Sequence, residues 1–368
     1  MTIPLVTIGM PAYNHGRFVG HAIESVLGQT VTDWELIIVD DASTDNTLEV
    51  IRRYGDPRIK VIALPQNRGP GYAANQYLRE VRGRWISLLP SDDAYAPTRL
   101  EEQLAYLERR PECGMVTTQW RFINEDNQPI ENKDHFAAKI FDNKERSRSD
   151  WLRFFFDEGN NIAASTVMFD KKYIDRTGPN DARLLQLQDY DMWLRFVLAG
   201  CNIGVVPKPL TDYRILEKSG NLSAPSLNVY HRCLYERTHI LKHFLSLTEA
   251  RSFCEIFPEV IAPPLSPAQE NVWVKHQFAL RAWKHSGRAH AHFALETWFD
   301  LFADDTHAAW LGEWGISLKA YQELMAKSPL GQDFLYDVYY WLYLRGTEFL
   351  PIKTQAWLKQ IFKKLMRR

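Results

Sequence analysis

The chain has 368 residues, 45% hydrophobic and 24% charged, with 44 basic against 45 acidic side chains. That is enough for one large domain plus a smaller one with a full core. A net charge near zero supplies no overall field for nucleic acid, so binding of a polyanion through bulk charge is excluded. Cys113, Cys201, Cys233 and Cys254 share no short paired spacing, which argues against a zinc cluster or a disulfide framework and for a reducing compartment. The opening Met1-Thr2-Ile3-Pro4 lacks the pattern of a secretory leader, and no apolar run reaches the ~18 residues of a membrane span. A cytoplasmic protein is expected, attached at most to the inner face of a membrane.

For roughly the first 120 positions, short β-branched runs alternate with helical spacing. Strands are predicted at Leu5–Met10, Leu36–Val39, Ile59–Leu64 and Trp85–Leu89, with helices at Phe18–Leu27, Thr47–Tyr54, Tyr72–Val81 and Arg99–Arg109 between and after them. A βαβ series makes a mostly parallel sheet flanked by helices, and ligands bind at the carboxyl ends of its strands. Further strands are predicted at Met115–Phe122 and Ala163–Phe169, and a helix opens at Gln188-Asp189-Tyr190-Asp191. From about Leu227 onward the pattern is helical only, including Trp273–Trp283, Ala291–Phe302 and Phe334–Leu344. The division expected is 1–225 for an α/β domain and 226–368 for an all-α domain.

Four loops follow the first four strands: Pro11-Ala12-Tyr13-Asn14, Asp40-Asp41-Ala42-Ser43, Asn67-Arg68-Gly69-Pro70-Gly71 and Ser91-Asp92-Asp93. Singly, each has an ordinary reading as a helix cap or a turn. Together they offer a ring to stack a base, a carboxylate to accept a base N–H, amides beside a glycine turn, and a carboxylate pair able to hold a divalent cation against diphosphate oxygens. Two adjacent carboxylates repel each other and resist leaving water, so they call for a cation between them or for solvent.

The stretches "VTIGMPAYNHGRFVGHAIESVLGQTVTDWELIIVDDASTDNT", "NRGPGYAANQYL", "GRWISLLPSDDAYAP", "LQLQDYDMWLRFVLAG" and "LTDYR" resemble inverting family-2 glycosyltransferases of the GT-A fold over about positions 3 to 215. The resemblance implies a nucleotide-sugar donor, a UDP-sugar first among them, held by Pro11, Tyr13, Asn14, Asp40, Asn67, Gly69, Asn75, Asp92 and Arg214. It implies that Asp40 meets the base, that Asp92 contacts the ribose or the metal region, and that Asp93 coordinates Mg²⁺ or Mn²⁺ across the two phosphates. Arg214 would lie near the phosphates. The general base would be Asp189, near a helix N-terminus whose dipole keeps it ionised; Asp191 is the alternative base, and a plain helix cap is the alternative role. The implied acceptor is a hydroxyl of a glycan or lipid-linked saccharide, as in cell-surface polysaccharide synthesis.

The chain departs from the family pattern at Gln188, where Glu is usual, at Ala74, where many members carry Arg, and at Ile215-Leu216, where many place a His. Two other functions stay open at this stage: a nucleotidyltransferase, which would release pyrophosphate without needing Asp189, and a catalytically inactive sugar-nucleotide-binding scaffold. Trp120 and Trp151 are read as core or as acceptor platforms. The tryptophans of the C-terminal half are read as bundle core with a possible acceptor groove among them. His285, His290 and His292 are read as surface side chains rather than metal ligands. The terminal "TQAWLKQIFKKLMRR" fits either a helix lying on an anionic bilayer, a peripheral membrane contact, or an ordinary basic helix end.

Overall fold

The computed structural model describes residues 3–328, except 132–134, 136, 139–140, 142–143, 217–225 and 286. The chain divides into two compact units, Met1–Lys218 and Ser219–Arg368.

In the first unit, β1 (Val6–Ala12), β2 (Trp34–Asp40), β3 (Ile59–Ala63) and β4 (Trp85–Leu88) are the expected parallel strands, in the order β3-β2-β1-β4. All seven residues of β2 are buried, so both of its faces are covered, as a near-continuous apolar run requires. Val6, Ile8 and Met10 alternate onto one face of β1 and pack with Val19, Ala22, Ile23 and Val26 of α1 (Val19–Leu27), while α2 (Thr47–Arg52) lies between β2 and β3 in the chain. Gly9 falls between them because the ring of Tyr77, on α3 (Pro70–Glu80), lies against the strand; a Cβ there would sit 2.4 Å from it. The register pairs Ala12 with Asp40 and Asp40 with Ala63. Consequently the strand ends, and the loops that leave them, open on one edge.

Beyond β4 the sheet is mixed, continuing β8-β6-β9-β5. Here β5 is Ala94–Tyr95, β6 Cys113–Ile123, β8 Met168–Asp170 and β9 Asn202–Arg214, while β7 (Pro129–Ile130) pairs with β6. β8 runs antiparallel to both β4 and β6, whereas β6 and β9 are parallel. The β6–β9 register shifts around Gln119, opposite Pro209, where the proline has no N–H for the ladder. The predicted strand Ala163–Phe169 is instead a 3₁₀ turn, Ala164–Thr166, followed by the short β8. Its apolar run is real, but Ser165 and Thr166 spend the backbone on a turn that brings Ser165 toward the strand-end crevice.

The second unit is helical: Leu227–Leu241, Ala250–Ile256, Pro267–Lys284, Arg288–Leu301, Asp305–Glu313 and Leu318–Ala326. Ser266 and Gln269 form a reciprocal capping box at the start of the longest of these helices. Phe244, Phe253, Phe257, Trp273, Phe278 and Trp298 are buried, so the bundle core takes these rings. The predicted helix 334–344 and the basic segment 354–368 lie outside the described residues. Among the described residues no helix is long and apolar enough to cross a membrane, and the four cysteines are free thiols.

Of the histidines expected at the surface, His290 departs from the expectation, while His285 and His292 are half-buried. His290 is fully buried and stacks on His285 at 3.8 Å. His276 is also buried, accepting the Trp298 indole N–H at 3.1 Å on Nδ1. Burial holds His276 neutral and lowers its pKa to about 4. The unfolded chain therefore binds a proton more readily than the folded one between about pH 6.5 and 4. Stability should fall as pH drops through that window, by up to about 3 kcal/mol from this group. Denaturant titrations at pH 7 and pH 5 test this: His276→Gln should flatten the difference, and an unchanged slope would contradict the assignment.

Candidate active site

The loop after β1 is laced to the loop after β2. Asn14 adopts φ 53°, a left-handed conformation that asparagine tolerates. Its amide donates to Ser43 Oγ at 2.9 Å, and its Oδ1 accepts the Thr44 N–H at 2.8 Å. His15 N–H donates to Thr47 Oγ1 at 2.8 Å, and Gly16 N–H to Asp45 Oδ2 at 3.0 Å. Tyr13 remains 42% exposed at the rim of these loops, and Pro11, next to last in β1, is half-buried and paired with Val39.

Asp40 closes β2 and is 2% exposed. One carboxylate oxygen accepts the Ser43 amide at 3.2 Å. The other is buried and has no partner among the described residues. A buried acceptor left unmatched costs roughly 1–3 kcal/mol, so this oxygen is available to a donor from water or a ligand.

The glycine turn is used differently from the expectation. Gly69 has φ 85° and precedes Pro70 at the first turn of α3. The amides of Arg68 and Gly69 both donate to Asp41, at 2.8 Å each, instead of facing a diphosphate. Burial pushes the Asp41 carboxyl upward and the two amides oppose it. Asp41 thus fastens the third loop to the second, a role sequence reasoning did not assign. Asp41→Ala should release the turn and cost about 1–3 kcal/mol, read as a lower denaturation midpoint; an unshifted midpoint would contradict the clasp. Asn67 is exposed on that turn. Asn75 exchanges hydrogen bonds with the backbone of Asn180, both at 2.9 Å, and so ties α3 to the segment that leads toward Asp189.

Asp92 and Asp93 sit where β4 gives way to β5, with Asp92 half-buried and Asp93 4% exposed. Burial, and then the charge of Asp92, push the Asp93 carboxyl well above the usual carboxylate range, while the Arg214 amide and the Ser165 side chain pull it down. The amide of Arg214 donates to Asp93 Oδ1 at 2.9 Å. The Arg214 side chain is not presented to the crevice as the resemblance implies. It is fully buried, its Nε donating to the Asp92 carbonyl at 2.7 Å. Ser91 meets His15 Nδ1 at 2.8 Å, joining the acidic loop to the first loop.

Among the described residues no group of three or more His, Cys, Asp or Glu side chains is placed to hold a metal ion. A two-carboxylate element is nevertheless the donor set Mg²⁺ takes when phosphates and waters fill the remaining positions. Burial and the adjacent Asp92 charge raise the Asp93 carboxyl, and both are effects that a bound cation would oppose.

Asp189 lies in the first turn of the helix Gln188–Leu198. Its Oδ1 accepts the Tyr190 amide at 2.7 Å, and its Oδ2 accepts Asn160 Nδ2 at 3.0 Å. Asn160 is itself locked to Ile162 through both ends of its amide. From Ile162 the chain runs directly to Ser165 beside Asp93, so one short segment supports both carboxylates. Asn160 carried no sequence signal. Asp191, the alternative base, is 3% exposed and ion-paired with Arg195 at 2.8 Å. Arg195 in turn binds the carbonyls of Thr177, Gly178 and Pro179, which gives the pair a structural task. Trp151 is fully buried core, while Trp120 is half-exposed beside Phe122 and Tyr213.

Such a crevice, at the carboxyl edge of a half-parallel sheet with an acidic doublet at its centre, is where a sheet of this kind takes its ligand. Residues 7–173 match the family model "Glycosyl transferase family 2". A putative teichuronic acid biosynthesis glycosyltransferase of Bacillus subtilis is 30% identical over 218 residues, covering 59% of this chain and 81% of that protein. A UDP-Glc:alpha-D-GlcNAc-diphosphoundecaprenol beta-1,3-glucosyltransferase of Escherichia coli is 29% identical, covering 67% of this chain and 99% of that protein. S. aureus TarS 1–349 has the same fold, with a TM-score of 0.53 at 16% identity over 79% of this chain and 87% of that one. The chain belongs to glycosyl transferase family 2, and it is a glycosyltransferase.

Proposed function

We propose that this enzyme is a metal-dependent, inverting glycosyltransferase of polysaccharide biosynthesis, moving a sugar from a UDP-sugar to a hydroxyl of a glycan or lipid-linked saccharide. The observation that carries the reading is the buried Asp93 next to Asp92 on the strand-end edge. The unmatched oxygen of Asp40 would accept the base N–H, with Tyr13 stacking beside it and Asn14 shaping the loop. Uracil is favoured because the Escherichia coli relative named above takes a UDP-sugar and a diphosphoundecaprenol-linked acceptor. A lipid-linked acceptor would bring the enzyme to a membrane surface, which we place at the cytoplasmic face. Acceptor or bilayer contact would fall to the second unit.

Held by Asp93, with Asp92 beside it, Mg²⁺ or Mn²⁺ would supply positive charge to the diphosphate leaving group. Asp189 takes the proton of the acceptor hydroxyl as its oxygen bonds to the anomeric carbon, and the bond from that carbon to the phosphate oxygen breaks, releasing UDP. Attack opposite the leaving group inverts the anomeric configuration. Asn160 holds the Asp189 carboxylate in place, and the ion pair of Asp191 favours Asp189 as the base. Gln188 adds no charge to the site.

A thermal-shift screen of UDP-, GDP- and dTDP-sugars, with and without Mn²⁺, tests this. A ligand at 100 times its Kd raises stability by about 2.7 kcal/mol. A UDP-sugar should shift the melting point far more with Mn²⁺ than without it, and then yield UDP when an acceptor is added. Absence of any nucleotide-dependent shift would overturn the proposal, pyrophosphate release would point to nucleotidyl transfer, and binding without turnover to a scaffold.

A further inference from the structure

Arg214 ends β9, and its guanidinium is spread over three segments of the chain. Nε donates to the Asp92 carbonyl at 2.7 Å, Nη1 to the Asn124 carbonyl at 2.6 Å, and Nη2 to Asn127 Oδ1 at 2.7 Å. Nη2 also meets His21 Nδ1, on α1, at 3.1 Å, and the plane packs over Phe18 at 4.8 Å. The main-chain amide of the same residue holds Asp93 Oδ1. From outside, Arg17 grips the same 124–127 turn through Glu125 and Asp126.

A guanidinium presents five donors in a fixed fork, and the four hydrogen bonds named here go from Nε, Nη1 and Nη2 to carbonyl, amide and imidazole acceptors inside the protein. Burying it this deeply costs several kcal/mol unless the acceptors are matched, so the geometry has a purpose. We propose that Arg214 is a positioning residue, a latch that fixes the backbone at Asp92 and one oxygen of Asp93 so that the free edge of the doublet faces the cation–diphosphate unit. It does not touch the phosphates. This rests on the donor reading above, and it assigns Arg214 to the carboxylates instead of the nucleotide.

The two roles separate in binding measurements that need no turnover. UDP and uridine are titrated into the full chain and into Arg214→Lys, each with and without Mn²⁺. Lysine keeps the charge but cannot span three acceptors. A latch predicts that the gain in UDP affinity produced by Mn²⁺ falls about tenfold or more, while metal-free UDP and uridine bind as in the wild type. A direct phosphate contact predicts loss of metal-free UDP affinity with uridine unchanged, and that result would overturn the proposal. Uniform weakening of every ligand with a lowered melting point would overturn it too, since that is what a general structural defect produces.

Asn127→Gly provides the second variant, because Asn127 is exposed and already at φ 61°, where glycine is at ease. It removes one acceptor of the fork and should give a smaller loss of the same kind. If Arg214→Lys does not fold and Asn127→Gly matches the wild type, the latch is refuted. A wild-type chain that binds no UDP with Mn²⁺ present would instead bring down the donor reading, and the latch with it.

Discussion

In the Asp93→Asn variant, UDP binding is expected to lose its dependence on Mn²⁺, with a fall in affinity of roughly 100-fold or more at saturating metal. The carboxamide is nearly isosteric, so the loss reports charge and coordination rather than shape. The fold should not suffer. Burial and the neighbouring Asp92 raise the Asp93 carboxyl well above its unfolded range, so the folded state holds that proton more tightly than the unfolded chain. The stability linked to a raised carboxyl is present while it is protonated and is lost as pH climbs through the folded value. At neutral pH, above the unfolded range of the carboxyl, this linkage costs the free enzyme stability, and a neutral asparagine should raise its melting point. Weaker binding together with a higher melting point cannot be explained by unfolding. Mn²⁺-dependent UDP affinity at the wild-type level in calorimetry would remove Asp93 from the cation site.

The second large effect is expected at Asp189. Replacing it with asparagine leaves the hydrogen bond from Asn160 a carbonyl acceptor but removes the group that accepts the hydroxyl proton. The transfer rate should fall about 10²- to 10⁴-fold, the usual span for a general base, with UDP-sugar affinity within about twofold of the wild type. The acid limb of the pH–rate profile should disappear with it. Asp191→Asn should behave otherwise: it breaks the buried pair with Arg195, so the melting point falls while any protein that remains folded keeps its pH profile. Swapped outcomes for the two variants would move the base to Asp191.

The parallel half of the sheet was legible because its strands are buried on both faces and read as unbroken apolar runs, β2 most clearly. Edges of elements were less so. Trp34 and Glu35 belong to β2 although the apolar run starts at Leu36, because Glu35 is buried on Thr7 and Arg82, partners distant in sequence. The 3₁₀ turn at Ala164–Thr166 was read as strand for a related reason: the hydroxyls of Ser165 and Thr166 answer to groups on other segments, Thr166 to Thr117 among them. In the crevice, strand-end position and residue type pointed to Asp40, Asp92 and Asp93. They could not tell which polar groups face a ligand and which are consumed internally. The amides of Arg68 and Gly69 go to Asp41, and the guanidinium of Arg214 goes to Asp92, Asn124 and Asn127. Donor saturation is a property of three-dimensional neighbours, and one sequence does not carry it. Asn160 was missed on the same ground, since an isolated asparagine in a loop has no spacing to announce its carboxylate partner.

The sharpest test of the acidic doublet as the seat of the cation and the departing diphosphate is anomalous scattering from Mn²⁺ in crystals grown with UDP. A manganese peak is expected about 2.0–2.3 Å from an Asp93 carboxylate oxygen, with phosphate oxygens completing its shell. A manganese ion bound to UDP elsewhere in the crevice, with Asp93 outside its shell, would contradict it.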